Sequence, residues 1–233
     1  MKLVELRNIT KTYRIIFGKK VEALRGITLV VGKGEAVALV GPNGAGKTTA
    51  IKIILGLLNP DCGKISIFGQ DPNSDIRKRI GYLPENPTFY RFLTGRENLL
   101  FLTRMVDPDI PIKRIDEMLR LVGLYGAKDR PVRGYSRGMV QRLGIAQAII
   151  HNPDLLILDE PLSGLDPIGR KEIRSILLNM KKEGKTIFFS THILPDVTPL
   201  ADRVIVINKG RIVSDLPVAK IGDIEDHLIQ ILR

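Results

Sequence analysis

The sequence predicts an α/β fold with a mostly parallel sheet, an antiparallel β part and a helical insertion. Three observations carry this. Short apolar runs alternate with longer amphipathic stretches, the pattern of strands alternating with helices. The runs at 155–158, 186–189 and 204–207 are apolar throughout, which suits strands covered on both faces. Between about 83 and 150, strand signals fade and apolar residues recur at helix spacing.

The elements follow in order. Residues 3–12 alternate between apolar and polar, as a half-buried strand does. Glu35-Ala36-Val37-Ala38-Leu39-Val40 reads as a strand, and a glycine-rich loop follows it. Ile51, Ile54, Leu55 and Leu58 then fall at i, i+3, i+4 and i+7. They predict a helix that Asn59-Pro60-Asp61 ends. Ile65-Ser66-Ile67 alternates like a strand of an antiparallel sheet, and Cys62, between Asp61 and Gly63, lies in a turn-like stretch. Leu99, Leu102 and Val106 mark one helix of the insertion, and Ile115, Leu119 and Val122 another. Gly123, Gly126, Pro131 and Gly134 break the chain after them. At the C-terminus, Asp223 with Asp226 resembles a capping box for a short helix with Ile224, Leu228 and Ile231 on its apolar face.

Composition narrows the class. A chain of 233 residues can bury a real core as one large domain or two small lobes. With 44% hydrophobic and 26% charged residues, global disorder is excluded. No run of 18 apolar residues exists, so the chain is not expected to span a membrane alone. Met1-Lys2-Leu3-Val4-Glu5 does not read as a signal peptide. The single cysteine, Cys62, excludes an internal disulfide and fits a reducing cytosol. Net charge is +11, but the basic residues are dispersed and aromatics make up only 5%. A solvated basic surface is favoured over membrane proximity, and membrane proximity over nucleic acid.

Gly41-Pro42-Asn43-Gly44-Ala45-Gly46-Lys47-Thr48 matches G-x-x-x-x-G-K-[ST], with Thr49 next. Glycines let the backbone approach phosphates closely, and its N–H groups converge on their oxygens. The following helix points its positive end at them. Lys47 adds a full charge for the β- and γ-phosphates, and the Thr48 hydroxyl suits Mg²⁺. The bland alternative is a glycine turn with an incidental lysine. The strand before and the helix after favour a nucleoside triphosphate.

Leu155-Leu156-Ile157-Leu158-Asp159-Glu160 ends a buried strand in two acids. Ligands of open α/β sheets bind beyond the carboxyl ends of strands. Asp159 is placed there to hold Mg²⁺ through a water, and Glu160 to polarise an attacking water. His192, after Thr186-Ile187-Phe188-Phe189-Ser190-Thr191, takes a similar strand-end position that favours a γ-phosphate contact. Without the loop, two solvated acids and a structural histidine would be the reading. His151 and His227 have no such support and read as residues near a helix end and on the polar side of the last helix.

Taken in order, these segments resemble the nucleotide-binding domain of the ABC transporter ATPases over nearly the whole chain. The resemblance implies a P-loop NTPase core with ATP and Mg²⁺ as its ligands. Tyr13 matches the aromatic that stacks on adenine. Tyr135-Ser136-Arg137-Gly138-Met139, followed by Gln141-Arg142, looks like the family signature, so Ser136 and Gly138 would contact a γ-phosphate. Ser136 is also a good N-cap for a helix towards Ile150. Ser163-Gly164-Leu165-Asp166 matches the loop after the catalytic glutamate, and His192 the switch histidine. Glu85 stands where the family usually has a Mg²⁺-sensing glutamine. Tyr135, Arg137 and Met139 replace the usual Leu, Gly and Gln. This combination resembles ATPases paired with ABC-2-type export permeases.

The resemblance further implies a single ABC ATPase domain: a RecA-like core with its antiparallel β part over 1–82 and 151–222, a helical subdomain over 83–150, and the short C-terminal helix over 223–233. It implies a second copy of the chain as an ATP-dependent partner, a separate membrane-embedded permease, no nucleic acid, and a place on the cytoplasmic face of the membrane. Two rival classes remain. A soluble ABC-type ATPase acting on nucleic acid or ribosomes usually carries two ATPase units or a long coiled-coil insertion. A non-hydrolysing nucleotide switch is disfavoured by Glu160 and His192.

Overall fold

The computed structural model describes residues 1–14, 20–221 and 231. The expected helix over 223–233, with His227, therefore lies outside the described residues except at position 231. The chain starts with two long strands, β1 (Lys2–Arg14) and β2 (Lys20–Gly32), then β3 (Ala36–Val40) and α1 (Lys47–Ile54). Strand β4 (Cys62–Ile67), the short α2 (Ser74–Arg77) and β5 (Ile80–Leu83) follow. The insertion supplies α3 (Gly95–Arg104), α4 (Ile112–Leu121) and α5 (Arg137–Ile149). The chain returns through β6 (Leu155–Asp159), α6 (Pro167–Lys182), β7 (Thr186–Thr191), α7 (Val197–Leu200), β8 (Arg203–Asn208) and β9 (Arg211–Pro217).

These strands form two sheets. β2, β1 and β4 make an antiparallel sheet in that order. The second runs β5-β6-β7-β3-β8-β9, parallel except for β9. Every residue of β3, β6 and β7 is buried. Their alternate side chains enter two different cores. Ala36, Ala38, Leu156, Leu158, Ile187 and Phe189 pack with Leu99, Ile115, Leu143 and Ile173 of the helical layer. Val37, Leu39, Leu155, Ile157 and Phe188 pack with Ile51 and Ile54 of α1 and with Leu6 and Ile27 of the antiparallel sheet. Strand side chains alternate faces, so a sheet sandwiched between two apolar layers has no polar face. A one-residue slip would exchange the two sets, which pins the register.

Local differences from expectation have local causes. α1 ends at Ile54, not near Asn59, because Gly56 turns the chain at φ +64°. α3 ends at Arg104, leaving Val106 exposed beyond it. Cys62 is the first residue of β4 rather than part of a turn. β2 and β9 were not anticipated. β9 is an edge strand of only half-buried and exposed residues, so its apolar alternation is weak.

Asn98 in α3 is fully buried and had no sequence signal. Its side-chain amide donates to the carbonyls of Tyr90 (3.0 Å) and Thr94 (2.9 Å), and its oxygen accepts the Tyr90 N–H at 2.9 Å. It ties the segment after β5 to the helical layer. Asn98→Ala removes the acceptor of the Tyr90 N–H, while the Tyr90 and Thr94 carbonyls keep the backbone N–H groups of Leu93 and Asn98; it is expected to cost about 1–3 kcal/mol of stability. A urea midpoint equal to that of the wild type would refute this role.

Candidate functional site

β3 leads directly into the glycine loop, and the loop is pressed against its neighbours. A Cβ on Gly41 would sit 2.2 Å from the Ile207 carbonyl oxygen. Gly46 holds φ +111°, and a Cβ there would sit 2.5 Å from the Ala23 carbonyl oxygen. Neither position admits a side chain. Gly46 is also the N-cap of α1, with no side-chain cap and no acid in the first helical turn. The first-turn N–H groups and the positive end of α1 therefore stay available to an anion. They open onto a cleft of about 610 Å³.

Lys47, at the start of α1, is only 6% exposed. Its ammonium donates to the Gly41 carbonyl (2.7 Å) and the Pro42 carbonyl (3.3 Å), and lies 3.3 Å from Glu160 Oε1. Glu160 is equally buried, and its Oε2 is 2.9 Å from His192 Nδ1. The Glu160 carboxylate thus bridges a buried cation and an exposed imidazole. Removing one partner of such a buried pair leaves the other charge desolvated and unpaired.

The turn out of β6 is strained. Glu160 has φ +51°, the left-handed region, which costs a non-glycine residue about 1–3 kcal/mol. Its backbone N–H donates to Ser190 Oγ at 3.0 Å. The same hydroxyl donates to Asp159 Oδ1 at 2.5 Å. Asp159 is 2% exposed, next in sequence to the cleft residue Glu160. Nearby, the Tyr82 phenol is pushed up to about 12, first by burial and then by the Asp159 charge, so it stays neutral.

Pro42, Asn43, Gly44, Ala45, Gly46, Lys47, Thr48, Thr49, Glu85, Glu160 and His192 line one cleft, and Ser163 joins them; Asp159 is not on its lining. The Gly41 side of the loop contributes the carbonyl that holds Lys47. Tyr13, 38% exposed at the end of β1, has its phenol oxygen 3.5 Å from Thr49 Oγ1, beside the cleft rather than on its lining. Ser136 and Gly138 are not brought in. Ser136 caps α5 by accepting the Met139 N–H at 3.2 Å, and Gly138 stands against Leu165 of the Ser163–Asp166 loop. Two further residues support the site. In the sequence Ser190 reads only as strand leading to His192, and a hydroxyl at the end of an apolar strand is the one signal of its role. Buried Gln141 donates to the Pro161 carbonyl at 3.1 Å, tying α5 to the residue after Glu160.

Comparison with known proteins gives the family and the fold. The family model for the ABC transporter matches residues 24–163. That stretch includes the glycine loop, Glu85, Ser136, Gly138, Asp159 and Glu160; Tyr13 and His192 lie outside it. An uncharacterized ABC transporter ATP-binding protein of Nostoc sp. is 45% identical over 219 residues, which are 91% of this chain and 65% of the relative. The bacitracin transport ATP-binding protein BcrA of Bacillus licheniformis is 42% identical over 220 residues, covering 92% of this chain and 70% of its own. Among solved structures, the ATP-binding cassette MJ0796, a dimer in a post-hydrolysis state with ADP and Pi, superposes with a TM-score of 0.84 at 27% identity. That match covers 92% of this chain and 98% of the other. The chain spans slightly less than two thirds of the length of the Nostoc relative.

Proposed function

Since the chain belongs to the ABC transporter family, we propose that it binds ATP with Mg²⁺ in the cleft at the start of α1, hydrolyses it, and so powers a separate membrane-embedded permease. The observation that carries this reading is the single cleft joining an uncapped helix start, the buried Lys47 and the Glu160–His192 pair. An anion with several oxygens suits the loop, because two glycines bring backbone close and a buried cation stands at its floor.

The residues also fit magnesium. Thr48, Glu85 and Asp159 offer only oxygen, the donor type a hard dication takes. Among the described residues no group of three or more His, Cys, Asp or Glu can hold a metal alone. Thr48, Asp159 and Glu85 would therefore hold it jointly with the phosphates. When bound, the ion neutralises charge on the β- and γ-phosphate oxygens.

Each remaining residue has a task. Lys47 turns from the Gly41 carbonyl towards the phosphates. Thr49 and the loop residues Gly41 to Gly46 cradle them with backbone N–H groups. Glu160 accepts hydrogen-bonding from the attacking water and polarises it, held in place by His192, which also reaches the γ-phosphate. Tyr13 stacks on the adenine. Ser136 and Gly138, off the cleft within one chain, complete the site from a second copy arranged head to tail. The dimeric state of the similar cassette supports that arrangement. The signature Tyr135-Ser136-Arg137-Gly138-Met139 supports an ABC-2-type export system.

The same reading divides the chain at 83 and 150, with the helical segment as the arm that faces the permease. Tyr90 and Phe101 pack edge to face at 5.3 Å there, and Phe92 is 83% exposed. Exposed apolar surface of this kind marks an interaction site. Among the described residues no helix is long and apolar enough to cross a membrane. The working place proposed for the chain is the cytoplasmic face of the membrane.

Two measurements test this. Purified chain with Mg²⁺ and ATP should release phosphate, and the chain should pellet with membranes only when its permease is co-expressed. No phosphate release in either setting would sink the ATPase reading. Retention on nucleic acid or ribosomes instead of membranes would sink the transport reading.

A further inference from the structure

We infer that Ser190 is a positioning residue for the two acids at the end of β6: its hydroxyl orients Asp159 towards the metal ion and holds the Glu160 backbone in the turn that aims its carboxylate. This rests on reading the cleft as a Mg²⁺–ATP site.

The sheet register places the hydroxyl. Asp159, the last residue of β6, pairs with Ser190 of β7 in parallel register. Paired residues of neighbouring strands point to the same face. Ser190 is fully buried. A serine hydroxyl has one hydrogen to give, and Ser190 gives it to Asp159 Oδ1 at 2.5 Å. It accepts one N–H, that of Glu160, at 3.0 Å. The resulting chain, Glu160 N–H to Ser190 O–H to Asp159, is polarised in one direction, which strengthens both bonds. The bond to the carboxylate is also charge-assisted.

Both ends of this chain serve the chemistry. Fixing Asp159 Oδ1 sets the plane of the carboxylate and leaves Oδ2 as the oxygen for the ion. Fixing the Glu160 N–H supports a left-handed backbone that glutamate otherwise avoids. That turn is what delivers the carboxylate to Lys47 and His192. An ordinary buried serine satisfies itself on a strand carbonyl. Here the hydroxyl meets the two functional acids instead.

The test uses the intact chain with Mn²⁺ as an EPR-visible ion and a non-hydrolysable ATP analogue. Ser190→Ala is expected to bind a fluorescent ATP analogue without metal as the wild type does. Its Mn²⁺ affinity in the ternary complex should fall by about 10- to 100-fold, the usual effect of losing a partner of a metal-holding group. Ser190→Thr, which keeps the hydroxyl, should return most of that affinity. A purely packing role would lower stability and leave Mn²⁺ affinity in the folded complex unchanged. If Ser190→Ala does not fold, Ser190→Cys, slightly larger than serine and with a weaker donor, is read in the same way. A wild type that binds no nucleotide overturns the ATP reading and this inference with it. A wild type that binds nucleotide and Mn²⁺, beside a Ser190→Ala chain of equal Mn²⁺ affinity, overturns this inference alone.

Discussion

Glu160→Gln is expected to lower phosphate release by roughly 10²–10⁴-fold, the usual contribution of a positioned general base, while ATP affinity stays close to that of the wild type. The substitution keeps the volume and one oxygen. Its carbonyl can still accept from His192 Nδ1, which now meets Glu160 Oε2 at 2.9 Å. The backbone N–H bond to Ser190 is untouched, so the left-handed turn persists. What is lost is a negative oxygen able to polarise water. The loss should therefore appear in kcat and not in the binding of a fluorescent ATP analogue. Steady-state hydrolysis at the wild-type rate would remove Glu160 from the role proposed for it.

Lys47→Ala should have the opposite signature, a loss of nucleotide affinity of roughly 10- to 100-fold, from charge-assisted hydrogen bonds worth about 1.5–3 kcal/mol. Two effects act together. The ammonium that would meet the phosphates is gone. Glu160, 6% exposed and 3.3 Å from that ammonium, is also left facing the phosphates without an intervening cation. The double variant Lys47→Ala with Glu160→Gln separates them. If repulsion from Glu160 contributes, the second substitution recovers part of the lost affinity; residues in contact couple in this way. Normal affinity in Lys47→Ala, by isothermal titration, would undercut the loop as the phosphate site.

Much of this site was legible in short stretches. The glycine loop reads within eight consecutive positions because each does its work on its own backbone or the next turn. The N-cap at Ser136 reads in the same way, since its acceptor and the Met139 N–H lie three residues apart. The apolar runs of β3, β6 and β7 were plain because burial on both faces leaves no polar alternation. β9 was not, because an edge strand with exposed alternate residues has no such signature. The end of α1 was misjudged because Asn59-Pro60-Asp61 is the louder breaker, while Gly56 had already turned the chain.

The phosphate loop, the buried parallel strands, the helical insertion and the candidate acids at the end of β6 are all legible in the order of residues along the chain. Each depends on periodicity or backbone preference over a few residues. Which strand lies beside which emerges from the folded sheet. The order β6-β7-β3 brings Ser190 against Asp159 and His192 against Glu160, and it sets Lys47 across from the same carboxylate. It also leaves Ser136 and Gly138 off the cleft of their own chain. Parallel neighbours are joined by long crossovers, so nothing in the local pattern of one strand names its partner or register. The hydroxyl that organises the acids is therefore visible only once β6 and β7 are side by side.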